Sequence, residues 1–259
     1  MQRRVLITGA TGCAGPHLGE LALAKGARVF GFARRDAFAR GVEGRAGDIT
    51  DSARVEEWIA ECRPDRVFHL AGLVHGRGAH SREEYCKVNI EGTIHLLEAV
   101  QKIVPGARVL VAGSSGIYGQ PEPWRPIAED TPAQPGSPYA VSKAAQEIAA
   151  KEFFTKQGLA VVRTRVFNQT GPREPEGLVC ASLACQVARI EAGLQEPVLR
   201  AVTLGTSRDF CDVRDVVAGY WAAMEHGAPG EAYNVCSGHA TSIARVVEIL
   251  LGHSSSGDV

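Results

Sequence analysis

The chain has no run approaching the roughly 20 consecutive apolar residues that a membrane-spanning helix needs. Its opening residues, MQRRVLITGA, lead straight into a strand pattern instead of a signal sequence. A cytoplasmic location is expected. Charge of one sign is not in excess either, with 28 Lys plus Arg against 29 Asp plus Glu, and no basic stripe interleaved with aromatics occurs. That balance argues against nucleic acid and membrane surfaces as partners and leaves a small molecule. The seven cysteines (13, 62, 86, 180, 185, 211, 236) form no Cys-x-x-Cys and stand apart from the histidines. No metal site and no disulfide framework is expected, and the thiols read as reduced and mostly buried.

What is present is an alternation. Runs rich in Val, Ile and Phe (VLITG, RVFGF, RVFHLAG, RVLVAGS) are separated by helical stretches ending at Lys25 and spanning about 52–62 and 82–103. Continuous apolar strands alternating with helices predict a parallel sheet covered on both faces. Between 119 and 137 the chain is Pro-rich, a long loop ending at Ser137 as N-cap and Pro138 in the first turn of a helix. After Asn168 the pattern weakens into NQTGPREPEG, a helix near 178–192, and RDFCDVRDVV leading into another helix. The expected fold is α/β, a Rossmann-type doubly wound parallel sheet. Its dinucleotide domain covers 1–167 plus about 206–229, and a smaller substrate lobe covers about 168–205 plus 230–259.

The first strand runs into TGATGCAG, so Gly9, Thr11, Gly12 and Gly15 lie between a strand and a helix. Absent side chains there let backbone approach a pyrophosphate at a helix N-terminus. The second strand, ARVFGFARR, ends without the acid that accepts the ribose hydroxyls of NAD and offers Arg34 and Arg35 instead. Guanidinium groups suit a 2′-phosphate, so NADP(H) is preferred, with NAD(H) possible. The competing interpretation is a solvated arginine turn. Asp48 and Ile49 are candidates for the adenine edge and face, although GDITD serves equally well as a helix cap.

In SPYAVSK, Tyr139 precedes Lys143 by one helical turn, which by itself fits an ordinary exposed pair as well as a reacting one. The set TGATGCAG, HLAG (69–72), VNIEGTIHLLEA (88–99), SSGIYG (114–119), YAVSK, FNQTGP (167–172) and RDFCDVRDVV (208–217) resembles the extended short-chain dehydrogenase/reductase superfamily over nearly the whole chain. Within it, RDFCDVRDVVAGYW and EAYNVCSGHATSI resemble GDP-4-keto-6-deoxy-mannose reductases and the related GDP-mannose dehydratases.

The resemblance implies that Ser114, Tyr139 and Lys143 are catalytic and that Leu70, Ala71 and Gly72 join the cofactor site. It also implies that Ser115, Asn168 and Arg208 contact substrate and that the protein is a homodimer paired through helices near 90–103 and 138–156. A phenol near its reference pKa of about 10 sits ~3 units from neutrality, a mismatch of about 4 kcal/mol. Lys143 is expected to lower that pKa and, by resemblance, to hold the nicotinamide ribose.

Related 4,6-dehydratases carry Thr, then Asp or Ser, then a Glu base where this chain has Ser114, Ser115 and Gly116. Glycine cannot remove a proton, so elimination of water is disfavoured and reduction of a 4-keto group survives. The implied substrate is GDP-4-keto-6-deoxy-mannose, yielding GDP-rhamnose. The alternatives are a nucleotide-sugar 4-epimerase with tightly held NAD and a non-catalytic NADP-binding protein. Departures from the superfamily pattern are Cys13, Pro16 and Gly72, and the ending HSSSGDV where relatives continue with a strand and an arginine-containing segment. A shortened lobe is expected on that basis.

Overall fold

The computed structural model describes residues 2–74, 80–120, 125–201 and 203–254. The large sheet has seven parallel strands, β1 (Arg4–Thr8), β2 (Arg28–Ala33), β3 (Glu43–Ala46), β4 (Arg66–His69), β5 (Arg108–Ala112), β6 (Ala160–Val166) and β9 (Ala232–Val235), in the order β3-β2-β1-β4-β5-β6-β9. Strands β1, β4 and β5 read as nearly unbroken apolar runs because alternate side chains enter two different cores. Leu6, Val67, Val109 and Val111 point to one face and Val5, Ile7, Phe68 and Leu110 to the other, each no more than 1% exposed. Burying one such side chain contributes roughly 1.5–3 kcal/mol.

The first core is closed by α2 (Ser52–Cys62), α4 (Gly92–Ile103) and α5 (Pro138–Gln157), the second by α1 (Ala14–Ala24) and α7 (Val213–His226). Phe68 and Trp221 stack in the second at 5.8 Å between ring centroids. A small sheet, β10-β8-β7, is built from β7 (Asn168–Thr170), β8 (Ser207–Asp212) and β10 (Ala240–Ser242), with α6 (Val179–Glu191) and α8 (Ile243–Gly252) beside it.

Several sequence expectations change. Ala232–Val235, placed in the lobe by pattern, pairs in parallel with β6 and is the edge strand of the large sheet, while Ser207–Asp212, placed in the dinucleotide domain, belongs to the small sheet. The boundaries shift because each strand is short and only partly buried, giving no apolar run to count. The helix expected over 82–103 is α3 (Arg82–Tyr85), a π-helical segment (Cys86–Glu91) and then α4. Of the seven cysteines only Cys62 and Cys211 are buried, and Cys236 is exposed, so they are not mostly buried.

Among the described residues no helix is long and apolar enough to cross a membrane, and no group of three or more His, Cys, Asp or Glu is arranged to hold a metal. Residues 121–124 of the Pro-rich loop and 255–259 of the ending lie outside the described residues.

Candidate active site

The strand order reverses direction between β1 and β4, which opens a crevice beyond their C-terminal ends. Gly9 turns the chain there with φ of 69°, its N–H donating to the Phe32 carbonyl at 2.8 Å. A Cβ on Gly9 would come within 2.7 Å of Ala71 N, and one on Gly15 within 2.6 Å of the Ala10 carbonyl. Gly9 is therefore required by close backbone approach as well as by dihedral, and Gly15 by close approach. This cradle, walled by Leu70 and Ala71 with exposed Gly72 beyond, fits a dinucleotide pyrophosphate.

Next to it lies a cavity of about 320 Å³ lined in part by Thr11, Gly12, Pro16, Arg35 and Phe38, with Arg35 Nη2 at 3.5 Å from the Thr11 carbonyl. Arg34 is exposed and lies outside that lining. Asp48 and Ile49 both have local structural partners. The Asp48 carboxylate accepts from Thr50 N and Oγ1, both at 2.9 Å, and Ile49 is 5% exposed in the core, against Gly92. The cap of α2 is Asp51, whose side chain accepts from Arg54 N.

The reacting groups come from two neighbouring element ends. Ser114 follows β5 and caps a short 3₁₀ turn (Ser115–Tyr118), its Oγ accepting from Gly116 N at 3.1 Å. Ser137 caps α5 by accepting from Ala140 N at 3.2 Å with Pro138 in the first turn, as the sequence predicts. That start fixes Tyr139 against Ser114, which is hydrogen-bonded to it, and beside Tyr85 at 5.9 Å between ring centroids. Burial raises the Tyr139 phenol above its ordinary value, the Ser114 hydrogen bond lowers it, and Tyr85 adds to the rise.

The expected lowering by Lys143 is not observed, because the ammonium points elsewhere. Nζ donates to the Ala112 carbonyl at 2.7 Å and to Gln146 Oε1 at 2.5 Å. Burial brings Lys143 down to about 8, with Glu147 opposing the fall. It lies behind Gly72, where a Cβ would be 3.9 Å from Nζ.

Behind Lys143 runs a buried polar chain that sequence reasoning missed. Gln146 Nε2 donates to Thr93 Oγ1 at 2.7 Å, and Thr93 Oγ1 donates to the Asn89 carbonyl at 2.7 Å. Thr93 then accepts from His69 Nε2 at 2.8 Å, which leaves His69 Nδ1 to accept from Thr8 Oγ1 at 2.7 Å. Thr8 in turn accepts from Ala71 N at 3.2 Å. Burial, reinforced by Lys143, lowers His69 to about 3, so it stays neutral and the direction of the chain is fixed. Asn89, from the π-helical segment, exchanges hydrogen bonds with Leu73 and donates to Ser142. Asn89 and Thr93 fall within VNIEGTIHLLEA, so a signal was present; their polar character inside an apolar helix pattern was the clue.

Ser115 follows Ser114 directly, whereas Asn168 and Arg208 stand exposed on adjacent strands of the small sheet. Asn168 Nδ2 donates to the Asp209 carbonyl at 3.1 Å, and Arg208 Nη1 to its neighbour Ser207 at 2.8 Å. Ser114, Tyr139 and Lys143 thus gather at one end of the large sheet, and Asn168 and Arg208 remain on the lobe.

Comparison with known proteins agrees with this geometry. The GDP-mannose 4,6 dehydratase family profile matches residues 6–256. A GDP-6-deoxy-D-mannose reductase of Pseudomonas aeruginosa is 38% identical over 189 residues, 72% of this chain and 62% of that protein. GDP-mannose 4,6-dehydratase sdnI of Sordaria araneosa is 31% identical over 258 residues, 95% of this chain and 47% of that one. The chain therefore spans only part of these curated relatives. Among solved structures, RMD from Pseudomonas aeruginosa complexed with NADPH superposes with a TM-score of 0.85 at 32% identity, covering 97% of this chain and 82% of that one. A Thermus thermophilus UDP-glucose 4-epimerase complexed with NAD gives 0.87 at 29%, covering 98% and 84%. By sequence and by fold, the chain belongs to the GDP-mannose 4,6-dehydratase family of extended short-chain dehydrogenases/reductases.

Proposed function

We propose that the protein is an NADPH-dependent reductase of the 4-keto group of a nucleotide-linked 6-deoxy sugar, converting GDP-4-keto-6-deoxy-mannose to GDP-rhamnose. The observation that carries this is the Ser114–Tyr139 pair with Gly116 alongside, where a Cβ would stand 3.2 Å from Ser114 Oγ and 3.8 Å from the Tyr139 ring. A proton donor and a polarising hydroxyl are present, while the place of the eliminating base holds hydrogen. The named reductase relative and the NADPH complex of RMD support the same choice.

Reduced nicotinamide, when bound, supplies the hydride. Tyr139 donates its phenolic proton to the oxygen as alkoxide character develops, and Ser114 polarises that carbonyl by donating its hydroxyl. An elevated phenol suits this direction, since Tyr139 is held protonated and the alkoxide is the stronger base. It suits the first, oxidising half of a 4-epimerase less well, because there the same group has to accept a proton. Lys143 offers its ammonium to the ribose side of the cofactor crevice. Ser115 and Asn168 contact the sugar or phosphate and Arg208 the diphosphate.

The test mixes the protein with NADPH and GDP-4-keto-6-deoxy-mannose and follows loss of reduced-cofactor absorbance. Stoichiometric decay is expected, and no decay with folded, NADPH-bound protein rules out the assignment. GDP-mannose alone should yield no keto product. With Lys143 at about 8, turnover should be flat below that pH and fall above it as the ammonium loses its proton. A profile still rising between pH 8 and 9 contradicts the role given to Lys143.

We also propose a homodimer through α4 and α5. Val141 and Ile148 on α5 are 43% and 70% exposed, and a cavity of about 460 Å³ runs along that helix. Ile148→Asp should shift sedimentation from dimer to monomer, and a monomeric parent protein would refute the pairing.

A further inference from the structure

Arg173 has no part in the chemistry above, yet its surroundings are specific. The loop after β7 folds back over α1, where Pro172 O meets His17 Nε2 at 3.1 Å and Arg173 Nη2 pairs with Glu20 Oε1 at 3.1 Å. Arg173 has φ of 69°, and among the described residues only it and Arg63 are non-glycine residues with positive φ. An L-residue persists there only when its surroundings hold it, and such strain gathers at ligand clamps. Arg173 belongs to the lining of the 320 Å³ cavity that also takes in Thr11, Gly12, Arg35 and Phe38. That lining contains two arginines and no carboxylate.

We infer that Arg173 determines cofactor specificity by gripping the ribose 2′-phosphate of NADP(H) across the cavity from Arg35. This rests on the NADP preference proposed above and adds a residue distant in sequence from the second strand. Three physical points favour it. A phosphate dianion neutralises two facing guanidiniums and accepts charge-assisted, bidentate hydrogen bonds from both. A cofactor lacking that phosphate offers neither arginine an anion, and Arg173 keeps only its exposed Glu20 pair, so the second arginine adds discrimination as well as affinity. The Glu20 pair is solvent-exposed, at 53% and 49% for the two side chains, so it holds Arg173 at the rim only weakly and yields to a dianion.

The experiment measures equilibrium affinity for NADPH and for NADH by nicotinamide fluorescence, with no sugar substrate, in the parent protein and in Arg173→Ala and Arg173→Gly. Glycine relieves the backbone strain that alanine keeps, so agreement between the two variants separates charge from conformation. Each should bind NADPH about tenfold or more weakly while NADH stays within about threefold. Equal weakening of both cofactors would overturn the proposal, since it would place Arg173 on a part they share, and so would unchanged NADPH affinity. If the parent protein itself shows no preference for NADPH, the NADP preference fails and this inference with it. A parent preference retained by both variants refutes Arg173 alone.

Discussion

Replacing Tyr139 with phenylalanine should lower turnover on the 4-keto sugar by about 10²–10⁴-fold while NADPH affinity changes little, because general-acid transfer contributes that much. The ring itself is braced by Tyr85 and by the first turn of α5, so removing one oxygen leaves the packing in place. The loss should appear in kcat more than in KM, since the phenolic proton matters as charge develops on oxygen. Ser114 loses its hydrogen-bond partner in this variant but keeps the Gly116 N–H that orients it. Steady-state kinetics together with fluorescence titration of NADPH measures both parts. Turnover within about threefold of the parent would remove Tyr139 as the donor. Undiminished cofactor binding in a parent protein that turns over no keto sugar would favour the non-catalytic alternative.

Glu147→Ala should destabilise the fold by about 3–5 kcal/mol, the largest single-residue effect on stability anticipated here. Its carboxylate receives Arg163 Nη1 at 3.0 Å and Arg165 Nη2 at 2.5 Å, with Arg165 Nε at 3.1 and 3.0 Å from the two oxygens. Side-chain exposures of 7%, 8% and 12% put all three groups largely out of water. A surface pair of this kind would contribute under about 1 kcal/mol. Here, removing the anion leaves two largely desolvated cations on the same strand without the carboxylate that bridges them.

The damage should reach the edge of the large sheet, because Arg163 also donates to the Gly230 carbonyl at 2.6 Å, just ahead of β9. Arg165 donates to Tyr118 Oη at 2.8 Å, and Tyr118 donates to Asn234 within β9. Urea unfolding reads the change as a lower midpoint at constant slope. A loss below about 1 kcal/mol would mean that water or rearrangement screens the arginines. Glu147→Gln, which keeps hydrogen-bond acceptance at one oxygen, should lose less.

How much of this was legible from sequence followed the range of each interaction. Ser137, Pro138 and Tyr139 are consecutive, and their cap and first turn formed as the residues predict. The glycine loop was legible for the same reason, since strand, turn and helix lie within a few residues. Spacing placed Lys143 one turn from Tyr139 but could not give the direction of a four-carbon side chain, which the Ala112 carbonyl and Gln146 decide. The chain from Gln146 through Thr93 to His69 joins positions 53 and 24 residues apart, a separation no local periodicity encodes. Arg34 and Arg35 read alike as neighbours, yet only Arg35 turns toward the cavity. Asp48 was ambiguous from its own turn residues, and the nearby Thr50 claimed its carboxylate.

The π-helical stretch carries one further implication. Its wider turn inserts an extra residue ahead of α4, and the Asn89 brace hangs from that insertion. Deleting a single residue between Cys86 and Glu91 would let ordinary helix close the gap at almost no cost to the backbone. Everything upstream would then swing by ~100° about the axis, carrying the amide away from Leu73 and Ser142. Such a shortened protein would keep its helical spectrum and lose the alignment of its crevice, a failure that composition and stability alone would never reveal.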